Sequence, residues 1–141
     1  MPETKEIIAA LLQQHTPISF VAGGPSMNPT IRDGESVFIK PLSAGVLPHG
    51  SVILYRIYGR IKVHRCTFNN KRTNRVFTVG DAAVAGGGWI PAADILGVVE
   101  SVQRDGRIRR LDTRRARWAG LLRFYARPLR QMAVAVYRAF Q

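Results

Sequence analysis

Hydrophobic residues follow two different spacings along this chain of 141 residues. Near the N-terminus, apolar side chains recur at the spacing of a helix with one buried face. This pattern predicts a short amphipathic helix over Glu3–Gln14. The apolar face of that helix consists of Ile7, Ile8, Leu11 and Leu12.

The middle of the chain, from Ile18 to about Asp112, has the pattern of a β domain, with short β-type runs that end at turn residues. Asp105-Gly106 separates the last two runs and favours a two-residue hairpin, because both turn positions need positive φ. We therefore predict a mainly β fold, an antiparallel sandwich or barrel-like domain. The predicted strands are Ser36–Lys40, Ser51–Tyr58, Arg60–Phe68, Val76–Val79, Ile95–Arg104 and Arg107–Leu111.

After Asp112 the spacing becomes helical again. Apolar residues fall on one stripe, so residues 113–141 are predicted to form an amphipathic helical tail after a domain of residues 1–112. Pro128 lies inside the pattern and should kink the helix or split it in two. The stripe contains Trp118, Leu121, Leu122, Tyr125, Leu129, Met132, Val136 and Phe140, and the opposite face contains Arg123, Arg127, Arg130 and Arg138.

The positive charge is concentrated towards the tail. The net charge is +12, and the segment from residue 104 onward accounts for +9 of it, with 11 arginines against two aspartates. This asymmetry favours an anionic partner for the tail. A basic amphipathic helix is typical of peripheral contact with an anionic membrane, which we expect for residues 114–141. Nucleic acid is the less favoured partner, because the sequence shows no nucleic-acid-binding motif.

Two further features limit the class of protein. The chain has one cysteine, Cys66, which excludes an internal disulfide. It has no run of about 18 uncharged apolar residues, so we expect no membrane-spanning helix. We therefore expect a cytoplasmic protein, peripheral at the membrane surface if the tail binds lipid.

One serine lies in an unusual segment, GGPSMNPT at residues 23–30. Glycines let a substrate backbone approach closely and prolines stiffen the segment, so Gly24, Pro25 and Met27 are candidate substrate-binding residues. The Ser26 hydroxyl becomes a nucleophile only beside a base, with donors that face the oxyanion. The alternative is a Gly/Pro-rich loop in which Ser26 bonds only nearby backbone.

The candidate base is His64, in the segment RIKVHRCTF. An imidazole pKa of about 6.5 suits a general base near neutral pH, whereas Lys62 would need its pKa lowered by roughly 3 units. Cys66 is a rival nucleophile, but a small buried residue is the simpler interpretation. Strand alternation places Lys62, His64 and Cys66 on one face and Ile61, Val63 and Arg65 on the other.

The third candidate is Asp81, which follows Gly80 at the end of a β run in FTVGDAA. An aspartate there either orients a histidine or closes an Asx turn. The remaining histidines, His15 and His49, lie at a helix end and beside a Pro-containing turn, where we expect surface positions.

The order of these segments resembles the type I signal peptidase and LexA-like serine peptidase clan. Five segments correspond in order over about residues 18–104: PSMNPTIRDGE, HGSVILYR, IKVHRC, FTVGD and ADILGVVESV. The resemblance implies a nucleophile at Ser26, whose own N–H is one oxyanion donor. His64 matches the general-base position, which is histidine in the archaeal and endoplasmic-reticulum type and lysine in the bacterial type. Asp81 matches the aspartate that supports the histidine.

The resemblance also implies the substrate. In this clan an extended peptide binds along an edge strand, and cleavage of a leader or precursor follows small residues. No metal and no cofactor are implied. Self-cleavage of the LexA type is not expected, because the upstream Ala22-Gly23 bond lies too close to Ser26.

Three departures keep an alternative open. Ala82, Ala83 and Val84 follow the Gly-Asp pair, where the endoplasmic-reticulum type has two asparagines and an acidic residue. Gly24 stands where bacterial enzymes often place a second oxyanion donor, and a short helix is expected in place of the clan's transmembrane anchor. The alternative is a catalytically inactive relative, a binding module whose basic tail docks on anionic membrane or on a partner protein.

Overall fold

An antiparallel sheet curled into a half-barrel makes up most of the protein, with a short N-terminal helix and a longer C-terminal helix. The computed structural model describes residues 4–42, 47–82 and 87–140, except for the side chains of residues 127–135. The fold is therefore mainly β and antiparallel, as the hydrophobic pattern predicts.

Two α-helices and eight strands lie within the described ranges. The helices are α1 (Thr4–Gln13) and α2 (Arg114–Ala139), and a short 3₁₀ helix covers Ala92–Asp94. The strands are β1 (Ile18–Val21), β2 (Ser36–Pro41), β3 (Val52–Ile57), β4 (Arg60–Asn70), β5 (Arg75–Val79), β6 (Gly88–Pro91), β7 (Ile95–Arg104) and β8 (Arg107–Arg110).

Strand β7 pairs with three other strands, β2, β3 and β8. The strand order is β1-β2-β7-β3-β4-β5-β6, and β8 pairs with the C-terminal part of β7. Because β7 has neighbours on both sides, its apolar side chains are buried, among them Val98, Val99 and Val102. The hairpin of β3 and β4 lies next to β7 and carries His64, the candidate base.

The structure confirms the predicted elements and adds two short strands. The helix predicted over Glu3–Gln14 is α1, and each predicted strand has a counterpart. At the predicted hairpin, Asp105 and Gly106 both have positive φ, 52° and 73°. The sequence pattern does not predict β1 or β6, because four residues show too little alternation, and β6 also contains a glycine and a proline.

The core has two apolar clusters, one on each face of the β3–β4 hairpin. One cluster contains Met27 and Leu54, and Val63 packs against it. The other contains Tyr55 and Cys66. This division confirms the alternation predicted for β4. Burial raises the pKa of the Cys66 thiol to about 12, so this cysteine is a packing residue and a poor nucleophile.

The first half of α2 packs on the sheet. Leu121 is 1% exposed and lies against Gly50, where an added Cβ would be 2.8 Å from Leu121 Cδ1. One turn of helix also covers the guanidinium of Arg65: a Cβ added to Gly120 would lie 2.0 Å from Arg65 Cζ. The absence of a side chain at Gly120 therefore allows the helix to approach Arg65 closely.

Other apolar side chains of the predicted stripe remain exposed. The helix is continuous through Pro128, so this proline does not split it. Leu129 and Met132 belong to the predicted stripe, but their side chains lie outside the described residues. Within the described ranges, neither helix combines the length and apolar character needed to cross a membrane. The exposed large apolar residues are Trp118, Leu122, Tyr125, Val136 and Tyr137 in α2, and Phe140 directly after it.

Candidate active site

The segment that carries Ser26 is held in place by its neighbour Met27. The Met27 side chain is 4% exposed and belongs to one of the two core clusters. Its sulfur accepts a hydrogen bond from the Asp81 N–H at 3.4 Å, and its carbonyl accepts one from the Ile31 N–H at 3.0 Å. Met27 lines the cavity described below, but its burial makes it mainly an anchor that fixes the adjacent Ser26 at the surface.

Residues on the other side of Ser26 are fixed by a closed loop. Ala22 exchanges backbone hydrogen bonds of 2.8 Å with Gly34 and Glu35, which closes the base of the loop. Gly24 has a φ of 88°, a conformation that favours glycine, and its N–H donates to Asp33 Oδ1 at 2.9 Å. Since this N–H already has an acceptor, it is a poor candidate for the second oxyanion donor.

Gly80 brings the serine and the histidine together. The Ser26 carbonyl accepts a hydrogen bond from the Ala82 N–H at 3.0 Å, so the serine segment lies along the turn that follows β5. A Cβ added to Gly80 would be 2.4 Å from the Ser26 carbonyl oxygen and 3.4 Å from His64 Cδ2. Only a residue without a side chain fits here, which explains the glycine of the Gly-Asp pair sterically.

Ser26 and His64 line the same cavity, whose volume is about 740 Å³. Its walls are mostly apolar, formed by side chains such as Phe20, Leu54 and Val63. Gly24 and Pro25 also line it, and both are exposed. A concave, largely apolar space with a few convergent polar groups is typical of a ligand site.

The histidine is oriented by a tyrosine. Tyr55 Oη lies 2.8 Å from His64 Nδ1, and Thr78 Oγ1 lies 3.3 Å from the same Tyr55 oxygen. These contacts form a chain of hydrogen bonds when His64 Nδ1 donates to Tyr55 Oη and Tyr55 donates to Thr78 Oγ1. The Thr78 hydroxyl then donates to the Gly88 carbonyl at 3.5 Å. In this arrangement the proton of the neutral imidazole is on Nδ1, and Nε2 has a lone pair that can accept a proton, as a general base requires.

The surroundings of His64 favour its neutral form. Burial lowers the pKa of the imidazole below its usual 6.5, and the nearby charge of Lys62 lowers it further. The carboxylate of Asp81 acts in the opposite direction. Burial also raises the pKa of Tyr55, so the phenol stays protonated and can remain a hydrogen-bond partner. A neutral His64 near pH 7 is able to accept a proton.

Asp81 forms a buried ion pair. Its carboxylate binds the Arg65 guanidinium through two hydrogen bonds, 2.8 Å to Nε and 2.6 Å to Nη2, and the two side chains are only 3% and 2% exposed. The Thr30 hydroxyl also donates to this carboxylate. Nδ1 of His64 is bonded to Tyr55, so the influence of Asp81 on His64 in this structure is electrostatic.

No hydrogen bond joins Ser26 Oγ to His64 within the described residues. Such bonds are often long in enzymes without substrate and shorten in the Michaelis complex. The Ser26 N–H also has no acceptor in the described parts of the chain, so it is available for an oxyanion. Of the residues selected from the sequence, the structure brings together Ser26, His64, Gly24, Pro25 and Met27 around the cavity, with Asp81 directly behind the Gly80 turn.

Sequence reasoning missed three residues of this site: Tyr55, Thr30 and Arg65. A signal existed for Tyr55, because a two-residue turn at Tyr58-Gly59 sets the register of the β3–β4 hairpin. In that register Tyr55 pairs with Lys62 and therefore lies diagonally opposite His64. Thr30 and Arg65 reach Asp81 through contacts between distant segments, which no local pattern reveals.

The described residues contain no group of three His, Cys, Asp or Glu side chains able to hold a metal ion. No protein-family model and no curated protein matches this chain.

Proposed function

We propose that the protein is a serine endopeptidase in which Ser26 is the nucleophile and His64 the general base. The observation that carries the proposal is the convergence of both residues on Gly80, in the wall of a single cavity. His64 takes the Ser26 proton as Oγ attacks a peptide carbonyl, and the Ser26 N–H donates to the oxyanion. The imidazolium then protonates the leaving amine, and water releases the acyl group.

Two features of the site support this chemistry. The low pKa of His64 keeps it unprotonated near neutral pH, and the hydrogen bond to Tyr55 fixes the ring. Asp81 contributes through its charge, which partly stabilises the imidazolium formed during the reaction. Removal of one catalytic group in such a pair lowers the rate by about 10² to 10⁴.

The proposed substrate is a leader or precursor peptide that is cleaved after a small residue. An extended peptide laid along the cavity would pass the exposed Gly24 and Pro25, which offer little side-chain bulk. Backbone hydrogen bonds would then supply affinity, and pockets for the alternate side chains would select small residues.

The test is cleavage of a mixed peptide library, followed by mass spectrometry, with wild type, Ser26→Ala and His64→Ala. We expect cleavage by wild type alone, after Ala, Gly or Ser. The matched controls are Ser19→Ala, at an exposed serine of β1, and His15→Asn, at an exposed histidine with positive φ that asparagine tolerates. Both controls should cleave like wild type. A wild-type protein that leaves the library intact, with and without anionic vesicles, would overturn the proposal.

A second function is favoured by one observation on α2. The helix contains seven arginines and no acidic residue, and it leaves apolar side chains such as Trp118, Leu122 and Tyr125 exposed. Arginines beside exposed aromatic residues are typical of a helix that lies in the membrane interface. The protein would then be a binding module, or a peptidase that acts at the membrane surface.

Liposome flotation tests this second function. Deleting residues 114–141 would uncover Arg65 and Gly50, so point variants are the better design. Trp118→Ala with Leu122→Ala should reduce flotation with phosphatidylglycerol vesicles. Ile108→Ala, an exposed apolar residue outside α2, is the control and should float like wild type. Equal flotation of all variants would contradict a lipid-binding helix face.

A further inference from the structure

Six arginines line a second cavity, of about 240 Å³. They come from the Ser26 loop, from β4, β7 and β8, and from α2, so distant parts of the chain converge here. No aspartate or glutamate belongs to the lining in the described parts of the protein. We call this cavity the arginine pocket, and its arginines are Arg32, Arg65, Arg104, Arg109, Arg110 and Arg123.

Half of these arginines are neutralised by carboxylates outside the lining. The three pairs are Arg65 with Asp81, Arg104 with Glu35, and Arg110 with Asp112. The other three, Arg32, Arg109 and Arg123, form no ion pair with any described carboxylate. Three of the pocket's positive charges are therefore without an ion pair among the described residues, although Arg32 is close enough to Glu35 to lower the pKa of that carboxyl.

The neutralised arginines form a fixed wall. Arg104 binds Glu35 at 2.5 and 2.8 Å and also donates to the Pro29 carbonyl at 2.9 Å. The pair holds the pKa of Glu35 at about 2, well below its usual 4.5, so the carboxylate stays charged at neutral pH. Arg123 extends from α2 towards this wall, and its Nη1 donates to Thr30 Oγ1 at 3.2 Å. A site built on such contacts is largely formed before a ligand arrives.

The chemistry of the lining selects the ligand. Guanidinium groups present parallel N–H donors that match carboxylate and phosphate oxygens. Three arginines without an ion-pair partner in the described residues favour a group with more than one negative charge, and a phosphate ester carries about −1.5 to −2 at neutral pH. The volume of 240 Å³ exceeds the roughly 30 Å³ that one water occupies in the liquid, so a hydrated oxyanion fits.

We propose that the arginine pocket binds a phosphate-type oxyanion, either free phosphate or the phosphate of a lipid headgroup. The proposal is independent of the peptidase activity, because the Ser26 cavity and the arginine pocket have no lining residue in common. Thr30 nevertheless links the two cavities. Its hydroxyl accepts a hydrogen bond from Arg123 in the arginine pocket and donates one to Asp81, the residue after Gly80 of the Ser26 cavity.

The position of the pocket on α2 favours free phosphate over a lipid headgroup. Arg123 and Trp118 are five residues apart, which places them about 140° apart around the helix axis. A bilayer that covers the exposed apolar residues around Trp118 would therefore lie on a different side of the helix from the pocket. The arginine pocket then stays open to solutes while the apolar side is covered.

The first experiment measures phosphate binding by full-length protein. Calorimetry and thermal unfolding are followed as inorganic phosphate replaces chloride at constant ionic strength. We expect saturable binding by wild type, with a melting temperature that rises and then levels off. Arg32→Gln and Arg109→Gln should each weaken the phosphate Kd by about tenfold or more, because each removes a charged hydrogen-bond donor.

The matched control is Arg107→Gln, on the same strand as Arg109 and equally exposed, but outside the lining. It should bind phosphate like wild type. Phosphate also stabilises proteins non-specifically by its exclusion from their surface, and that effect would be the same in all four proteins. Equal responses of all four proteins would therefore overturn the proposal.

The second experiment identifies the source of the phosphate. Vesicles of phosphatidylglycerol and of phosphatidylcholine are compared in flotation with wild type, Arg109→Gln and Arg107→Gln. If free phosphate does not bind, but Arg109→Gln alone loses flotation with phosphatidylglycerol, the pocket holds a lipid headgroup. If neither phosphate nor either vesicle distinguishes Arg109→Gln from Arg107→Gln, the proposal is wrong.

Discussion

The cavity of Ser26 and His64 and the arginine pocket differ in charge, although both lie near the buried ion pair of Arg65 and Asp81. The cavity of Ser26 and His64 has mostly apolar walls, and Lys62 is the only charged residue among its described lining. The arginine pocket is lined by six guanidinium groups. His64 and Arg65 are neighbours in β4, yet one side chain belongs to each cavity.

This difference shows how the fold keeps the imidazole of His64 in an environment that lowers its pKa, one residue away from a strongly positive pocket. Alternation along β4 sends the two neighbouring side chains to opposite faces of the strand. Arg65 is then neutralised by Asp81, so its charge does not act alone on the imidazole. The pKa of His64 is lowered mainly by burial, with the charge of Lys62 as the next cause. The following changes test this separation.

The largest effect is expected from Asp81→Asn. The change leaves the Arg65 charge buried without its partner, and removal of one member of a buried pair typically costs about 3–5 kcal/mol in the free energy of unfolding. Chemical denaturation measures this loss. Asp105→Asn, at an exposed hairpin aspartate, should stay within about 0.5 kcal/mol of wild type. Similar unfolding free energies for the two variants would mean that the pair does not hold the cavities together.

A smaller effect is expected from Tyr55→Phe. It removes the hydroxyl that bonds to His64 Nδ1 and should lower kcat/KM roughly fivefold, the equivalent of one hydrogen bond of about 1 kcal/mol. The imidazole resonances of His64 in NMR spectra should shift as well. Tyr58→Phe, at a tyrosine that is 95% exposed, is the control. If both variants keep wild-type kcat/KM and His64 spectra, Tyr55 does not position the base.

The smallest effect is expected from Lys62→Gln. Without the charge of Lys62, the pKa of His64 should rise towards its usual 6.5, by less than burial lowers it, because burial is the larger cause. NMR titration of His64 measures this directly, and the acid limb of kcat/KM should move to higher pH in parallel. Lys71→Gln, at an exposed lysine outside the cavity, should leave the titration unchanged.

The sign of the pH effect on stability follows from the same shift. Between its folded pKa and about 6.5, His64 binds fewer protons in the folded protein than in the unfolded chain. The folded protein is therefore most stable with respect to His64 above pH 6.5, where the imidazole is neutral in both states. This part of the free energy of unfolding is lost as the pH falls from 6.5 through the folded pKa. A His64 that titrates above 6.5 in the folded protein would contradict this account.

Local patterns predicted the elements well because they depend on near neighbours. Helical spacing identified α1 and α2, and the Asp105-Gly106 pair identified a hairpin that the backbone angles confirm. The two missed strands, β1 and β6, have four residues each and lie at the edges of the sheet. Their β structure depends on pairing with β2 and β5, which the local sequence does not encode.

The candidate site was only partly predictable. Ser26 and His64 were selected from their surroundings and from the resemblance of ordered segments, and the structure places both beside Gly80. The hydrogen-bonding partner of the histidine is the tyrosine of the preceding strand. The carboxylate expected near the histidine instead pairs with Arg65, because a buried guanidinium needs a counterion more than a neutral imidazole does.

The helices, most of the strands and the concentration of positive charge after residue 104 could be predicted from the sequence alone, which also singled out Ser26 and His64 as the candidate nucleophile and base. These properties follow from spacing and composition along the chain. Only the tertiary structure decided which charges are paired, which side chain orients His64, and that six arginines share one pocket. Such contacts join residues far apart in sequence, and their energies depend on burial, which exists only once the chain has folded.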